Sequence, residues 1–246
     1  MNVSSNPQTA AGIRKLLARL REREAVARAR FLKGAPTKEQ RTAARANLDA
    51  VRRSIARWEE RLRAEQQPTI GWRSLRHVCP WLTDADAKRI AGGMGVAFRR
   101  YDITTPQRAA MAVAQMAHES DGFRTSEEYA SGDAYEGRRD LGNTLPGDGR
   151  RFKGRGRIMC TGRANYTSAA REFGVDFVGA AERLAQSPYS ELVSCWWWKT
   201  HGCNDLADAG DFVALTRRIN GGLNGLHDRQ RYYARARTVA RYLTPR

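Results

Sequence analysis

Glu119 closes a stretch, Ala109–Ala117, in which almost every residue is small or apolar. Thr105 and Pro106 precede it: a threonine that can cap a helix, and a proline whose missing N–H is harmless at the first helical position. The stretch predicts a helix buried on most of its circumference, ending around His118-Glu119-Ser120 with Gly122 as its C-cap. A carboxyl at that end is disfavoured as an anion twice over. Burial strips its hydration, and the helix C-terminus adds partial negative charge. Such a group can stay protonated near neutral pH and act as a general acid. Pairing with one of the chain's many arginines is the purely structural alternative. With a second carboxylate opposite, the chemistry would be cleavage of a glycosidic bond. Glu127, Glu128, Asp133, Glu136, Asp140 and Asp148 all follow within 29 residues, and spacing alone does not choose among them.

The elements around this helix divide the chain in two. In residues 1–67, Ile13, Leu17, Leu20, Ala27 and Phe31 form one apolar seam, interrupted at Glu24. Ala44, Leu48, Val51, Ile55, Trp58 and Leu62 form a second, at alternating steps of three and four. Lys33-Gly34-Ala35-Pro36-Thr37 separates them, with Gly34 suited to a helix end and Thr37 and Gln40 at capping-box spacing. The pattern predicts an antiparallel helical hairpin, bounded near Gln66-Gln67-Pro68. Residues 68–246 form the second domain, richer in glycine and aromatics. Thr83 with Asp84 and Asp86 predicts a helix start. Residues 130–157, rich in Gly, Asp and Arg, predict a long functional loop. Helical patterns resume near residue 164, and a short hairpin around residues 152–161 is the best candidate for β structure. The fold class expected is mainly α.

Charge and cysteine usage narrow the field. The 246 residues hold 43 Lys and Arg against 26 Asp and Glu, a net charge of +17, which draws the chain toward polyanions. Residues 1–67 alone carry 16 basic and 7 acidic side chains, a net +9. Cys79, Cys160, Cys195 and Cys203 show neither CxxC pairing nor histidines at zinc-ligand spacing. They are expected as free buried thiols, and no metal or organic cofactor is implied. No apolar run approaches the roughly 20 residues of a membrane span, and the first residues lack a signal-peptide core. Trp196-Trp197-Trp198 faces several ways on a helix, so at least one of the three belongs to the core.

Residues 115–128, Gln-Met-Ala-His-Glu-Ser-Asp-Gly-Phe-Arg-Thr-Ser-Glu-Glu, resemble the signature segment of glycoside hydrolase family 19, which contains plant-type chitinases and phage endolysins. Tyr135-Glu136-Gly137-Arg138, Asp140-Leu141-Gly142-Asn143, Gly147-Asp148-Gly149 and Lys153-Gly154-Arg155-Gly156 resemble its endolysin branch. Thr161-Gly162-Arg163-Ala164-Asn165-Tyr166 and Ile219-Asn220-Gly221-Gly222 are similar to two further family segments. The resemblance covers about residues 107–235.

It implies a lysozyme-like bilobal domain and inverting hydrolysis of β-1,4 bonds between N-acetylated amino sugars. By the resemblance Glu119 is the general acid, Glu128 the general base, and Thr161 holds the attacking water. His118, Tyr135, Asn165, Tyr166 and Asn220 would contact substrate, and Arg155 would organise the acidic pair. Met159 stands where the family usually has Gln, and a thioether cannot donate a hydrogen bond. The expected substrate is bacterial peptidoglycan, met after a stay in the host cytoplasm. Residues 1–67 would serve as a contact for anionic envelope polymers, and no nucleic-acid partner is expected. A chitinase, or an inactive virion or nucleic-acid-binding protein on the same fold, is the alternative.

Overall fold

The computed structural model describes residues 10–32, 37–66 and 69–246. They fall into two compact units, Met1–Gln67 and Pro68–Arg246. In the first, α1 (Ala10–Leu32) packs on α2 (Lys38–Gln66). Ion pairs Arg21–Glu59 and Arg52–Glu24, both 2.9 Å, show that the helices run antiparallel. Ile13, Leu17 and Leu20 meet Val51 and Ile55 in one apolar cluster. Glu24, which interrupts the seam, is accommodated because it reaches across to Arg52. The capping box forms reciprocally: Gln40 N–H donates to Thr37 Oγ1 (3.2 Å), and Thr37 N–H to Gln40 Oε1 (3.3 Å). The turn residues 33–36, the boundary pair Gln67-Pro68 and the side chains of Phe31 and Leu62 lie outside the described residues.

The second unit is built around α5 (Pro106–Glu119). Thr105 caps it by accepting from Arg108 N–H, as Thr83 caps α4 (Asp84–Arg100) by accepting from Asp86 N–H. Residues 109–117 are all essentially inaccessible, because α11 (Leu226–Thr238), α9 (Cys203–Asp208) and α12 (Ala240–Leu243) surround the helix. On the far side of the core, α4 packs between α3 (Trp72–Val78) and α8 (Tyr189–Thr200). A second, smaller core gathers Phe152, Tyr166, Phe177, Leu184 and Val193 beside α7 (Arg163–Phe173). Helix α8 borders both cores: Val193 faces the small one, Leu192, Cys195 and Trp198 the large one. Two cores sharing one helix give the two lobes expected. Trp198 is fully buried, with its indole N–H on Asn204 Oδ1 (2.8 Å), and Trp196 and Trp197 are partly buried. α6 (Asp148–Arg151) and α10 (Phe212–Asn220) complete the helices.

Two details differ from expectation. The β structure near residues 152–161 amounts to two isolated antiparallel bridges, Glu127–Arg155 and Arg155–Cys160. The turn between them uses left-handed backbone at Gly156 (φ 85°) and Met159 (φ 54°), which prevents a longer ladder. At the end of α5, Ser120 is the cap and Asp121 takes the left-handed position (φ 49°). Gly122 follows at φ 62°, and its small size matters for packing: a Cβ there would meet the Trp81 ring at 2.2 Å. All four cysteines are buried and free, as expected. No described helix is long and apolar enough to cross a membrane.

Candidate active site

The Glu119 end is organised by polar groups that the helix pattern hides. One turn before Glu119, the buried Gln115 donates through Nε2 to Thr216 Oγ1 on α10 (2.9 Å). Its Oε1 accepts from Arg229 (2.6 Å), a fully buried arginine of α11. Arg229 also donates to Glu119 Oε1 (2.5 Å) and to the Asn224 carbonyl (3.2 Å). Glu119 is thus held by a guanidinium that is itself held on two sides. His118 sits beside it, its Nδ1 2.8 Å from Asp228 Oδ2. Gly225 lies so close to that imidazole that a Cβ would approach within 2.2 Å. One turn beyond Thr216 on α10 is Asn220. Its Oδ1 is a buried acceptor with no partner among the described residues.

The Glu128 end is built from extended backbone and glycine. Glu128 N–H donates to the Gly154 carbonyl (2.9 Å). A Cβ on Gly154 would meet Glu128 Oε2 at 2.6 Å, Met159 Cβ at 3.1 Å and Thr161 Oγ1 at 3.3 Å. The absent side chain therefore lets the carboxylate, the threonine hydroxyl and Met159 share one small space. Tyr135 donates its hydroxyl to Glu128 Oε2 (3.0 Å), while Oε1 is buried without a partner among the described residues. Thr161 donates its own hydroxyl proton to the Met159 carbonyl (2.8 Å), which leaves Oγ1 as an acceptor.

Glu127, the neighbour, is differently committed. It is bound to Lys153 (2.8 Å) and Arg155 (3.2 Å). Burial disfavours its charge, but those two cations outweigh burial and hold its carboxyl below the usual carboxylate range. Adjacent residues in extended backbone point to opposite faces, and only Glu128 faces Thr161.

Two expectations require correction. Tyr166 is completely buried, so it cannot touch a sugar; its hydroxyl accepts from Arg155 (3.0 Å) and donates to the Lys153 carbonyl (2.7 Å). Arg155 is itself nearly buried and pairs with Glu127, not with Glu119 or Glu128, so it is not a sugar contact at the reacting bond and does not organise the acidic pair directly. Asn165 is half-buried and donates to the Thr161 carbonyl (2.8 Å), which steadies the residue beside Glu128. Tyr135 likewise serves Glu128 directly. Gln115, Thr216, Asp228 and Arg229 were not singled out from the sequence. Gln115 was legible as the one polar residue within the apolar stretch Ala109–Ala117, a turn before Glu119. Arg229 was not, since α11 carries four arginines of identical type.

No family model matches the chain. A Haemophilus influenzae protein described as glycosyl hydrolase family 19 domain-containing is 32% identical over 111 residues, 45% of this chain and 54% of its own length. An endochitinase of Arabidopsis thaliana is 32% identical over 127 residues, 51% of this chain and 43% of its own. The chain thus spans about half the length of the curated relatives it matches. Among solved structures, chitinase C from Streptomyces griseus superposes with a TM-score of 0.57 at 18% identity, covering 70% of this chain and 76% of that one. A bacterial family 19 chitinase gives 0.58 at 19% identity, covering 70% and 94%.

Proposed function

From homology to glycosyl hydrolase family 19 and the fold shared with its chitinases, we propose that this chain hydrolyses β-1,4 glycosidic bonds of bacterial peptidoglycan, as a phage endolysin does. The observation that carries the chemistry is the sharing of one space by Glu128, Gly154 and Thr161. A water at that space would donate one proton toward the Glu128 carboxylate and the other to Thr161 Oγ1, whose own proton is spent on Met159. Both donations turn a water lone pair toward the sugar. Glu128 takes the proton as the C–O bond breaks, and Glu119 protonates the departing oxygen. Single displacement inverts the anomeric centre, which requires the carboxyls to stand about 6.5–9.5 Å apart. Tyr135 and Arg229 orient the two carboxylates, and His118 with Asp228 forms the wall beside the acid.

Peptidoglycan is favoured by the endolysin-like loop 130–157 and by the chain's net charge of +17, which suits an acidic envelope. In this reading the protein waits in the host cytoplasm until lysis. Chitin is the second reading, favoured by the chitinases among the similar proteins. A zymogram on purified peptidoglycan beside a chitin assay separates them: clearing of peptidoglycan with little chitin turnover is expected, and the reverse assigns a chitinase. Proton NMR of the first product should show the inverted anomer. Retention would remove Glu128 from the role of base.

A further inference from the structure

A second concavity lies behind the Glu128 loop. It is a hollow of about 690 Å³ between residues 145–151 and residues 179–182. Arg150, Arg151, Arg155 and Arg163 line it, opposed by two acidic residues, Asp148 and Glu182. Asp148 is already spent: it accepts from Thr144 N–H and Leu145 N–H (both 3.0 Å) and pairs with Arg163. Arg151 and Arg150 are each bound through two guanidinium nitrogens. Arg151 donates through Nε and one terminal nitrogen to the carbonyls of Val178 (3.1 Å) and Gly179 (3.0 Å). Arg150 meets Asp133 through the same two nitrogens. A guanidinium has five N–H donors, so each of these forks keeps donors beyond those bonds. Arg155 is 7% exposed, and its Nε is a buried donor with no partner among the described residues. Arg150, Arg155 and Arg163 each hold a carboxylate, of Asp133, Glu127 and Asp148, whereas Arg151 is bound only to carbonyls; its spare donors and the unpartnered Arg155 Nε offer an oxyanion N–H groups in planar geometry.

The hollow is separate from the reacting groups. Arg155 reaches Glu127, whose carboxylate points away from the space that Glu128 shares with Thr161. We propose that it binds a compact oxyanion, the carboxylate of a peptidoglycan stem peptide or a phosphate of an anionic wall polymer. The choice of ligand rests on the peptidoglycan reading. The consequence would be a preference for an acidic glycan over neutral chitin that the sugar-cleaving residues do not themselves provide.

Titration calorimetry on the full chain tests this with free stem tetrapeptide, the same peptide amidated at its carboxyls, and inorganic phosphate. Wild type should bind the tetrapeptide or phosphate. An Arg150→Gln/Arg151→Gln variant should bind it about tenfold or more weakly, since charge-assisted hydrogen bonds are lost. Hydrolysis of soluble chitooligosaccharides should be unchanged in that variant. Should it fail to fold, Glu182→Gln, a change at an exposed side chain, should instead tighten binding. Loss on amidation assigns the carboxylate, and binding of phosphate alone assigns the wall phosphate; both support the site. Absence of binding by either anion, or affinities that neither variant alters, would overturn it. Because binding is read directly, failure to cleave peptidoglycan would refute the functional reading without touching this result.

Discussion

Glu119 and Glu128 are held in place by different kinds of structure. Glu119 ends a buried helix and rests against Arg229, which is anchored in turn by Gln115 and by a backbone carbonyl. Glu128 lies in a loop with only isolated bridges, fitted against a glycine and steadied by one tyrosine hydroxyl. The first is fixed by core packing and a buried ion pair, the second by the absence of a side chain at residue 154. Damage to the groups that hold the first should therefore appear as lost stability, and damage to the fit that holds the second as lost turnover in a protein of normal stability.

Glu119→Gln is the strongest break. It keeps shape but removes the transferable proton, and the rate on peptidoglycan should fall about 10²–10⁴-fold or more, with circular dichroism unchanged. A folded variant keeping over half its activity would end the assignment. Arg229→Met comes next and should act on stability. Removing one partner of a buried ion pair costs about 3–5 kcal/mol, here by stranding Glu119 and Gln115. Denaturant melts should show it, and an unchanged midpoint would contradict the buried role given to Arg229. Gly154→Ala should do the opposite. Its methyl would intrude on Glu128 Oε2 at 2.6 Å, and a displacement of about 1 Å can cost about 10²-fold. Turnover should fall by that order while the melting midpoint holds; a wild-type kcat would show that Glu128 needs no such close fit.

The smallest effect expected concerns the basic hairpin, for which we propose a contact with the anionic envelope. Exposed charges are screened as the Debye length shrinks from about 8 Å at physiological ionic strength to about 3 Å at 1 M. Cosedimentation with cell walls across a salt series should show steep loss of binding, and deletion of residues 1–67 should flatten it. Cleavage of short soluble oligosaccharides should survive the deletion. Matching curves for both chains would reduce the hairpin to a structural brace.

Much was legible without coordinates wherever the controlling physics is local. Periodicity and capping chemistry placed α1, α2, α4 and α5, with Thr37, Thr83 and Thr105 at their starts, because a cap bonds backbone only three residues away. The burial of Ala109–Ala117 followed from composition alone. The same sequence carried Glu119 as a candidate by type and position, and Glu128 and Thr161 through the family resemblance. What only the tertiary structure decided is which polar groups meet. Arg229 lies 110 residues from Glu119 and resembles every other arginine on its helix until α11 packs on α5. Tyr166 read as a sugar contact until the small core closed over it, and Arg155 as the organiser of the acidic pair until it met Glu127. The choice between Glu127 and Glu128 turned on which face of one extended residue pair meets Gly154 and Thr161. Chain spacing sets a residue's type and local conformation, but partners are chosen by packing between distant segments, and no local pattern encodes that.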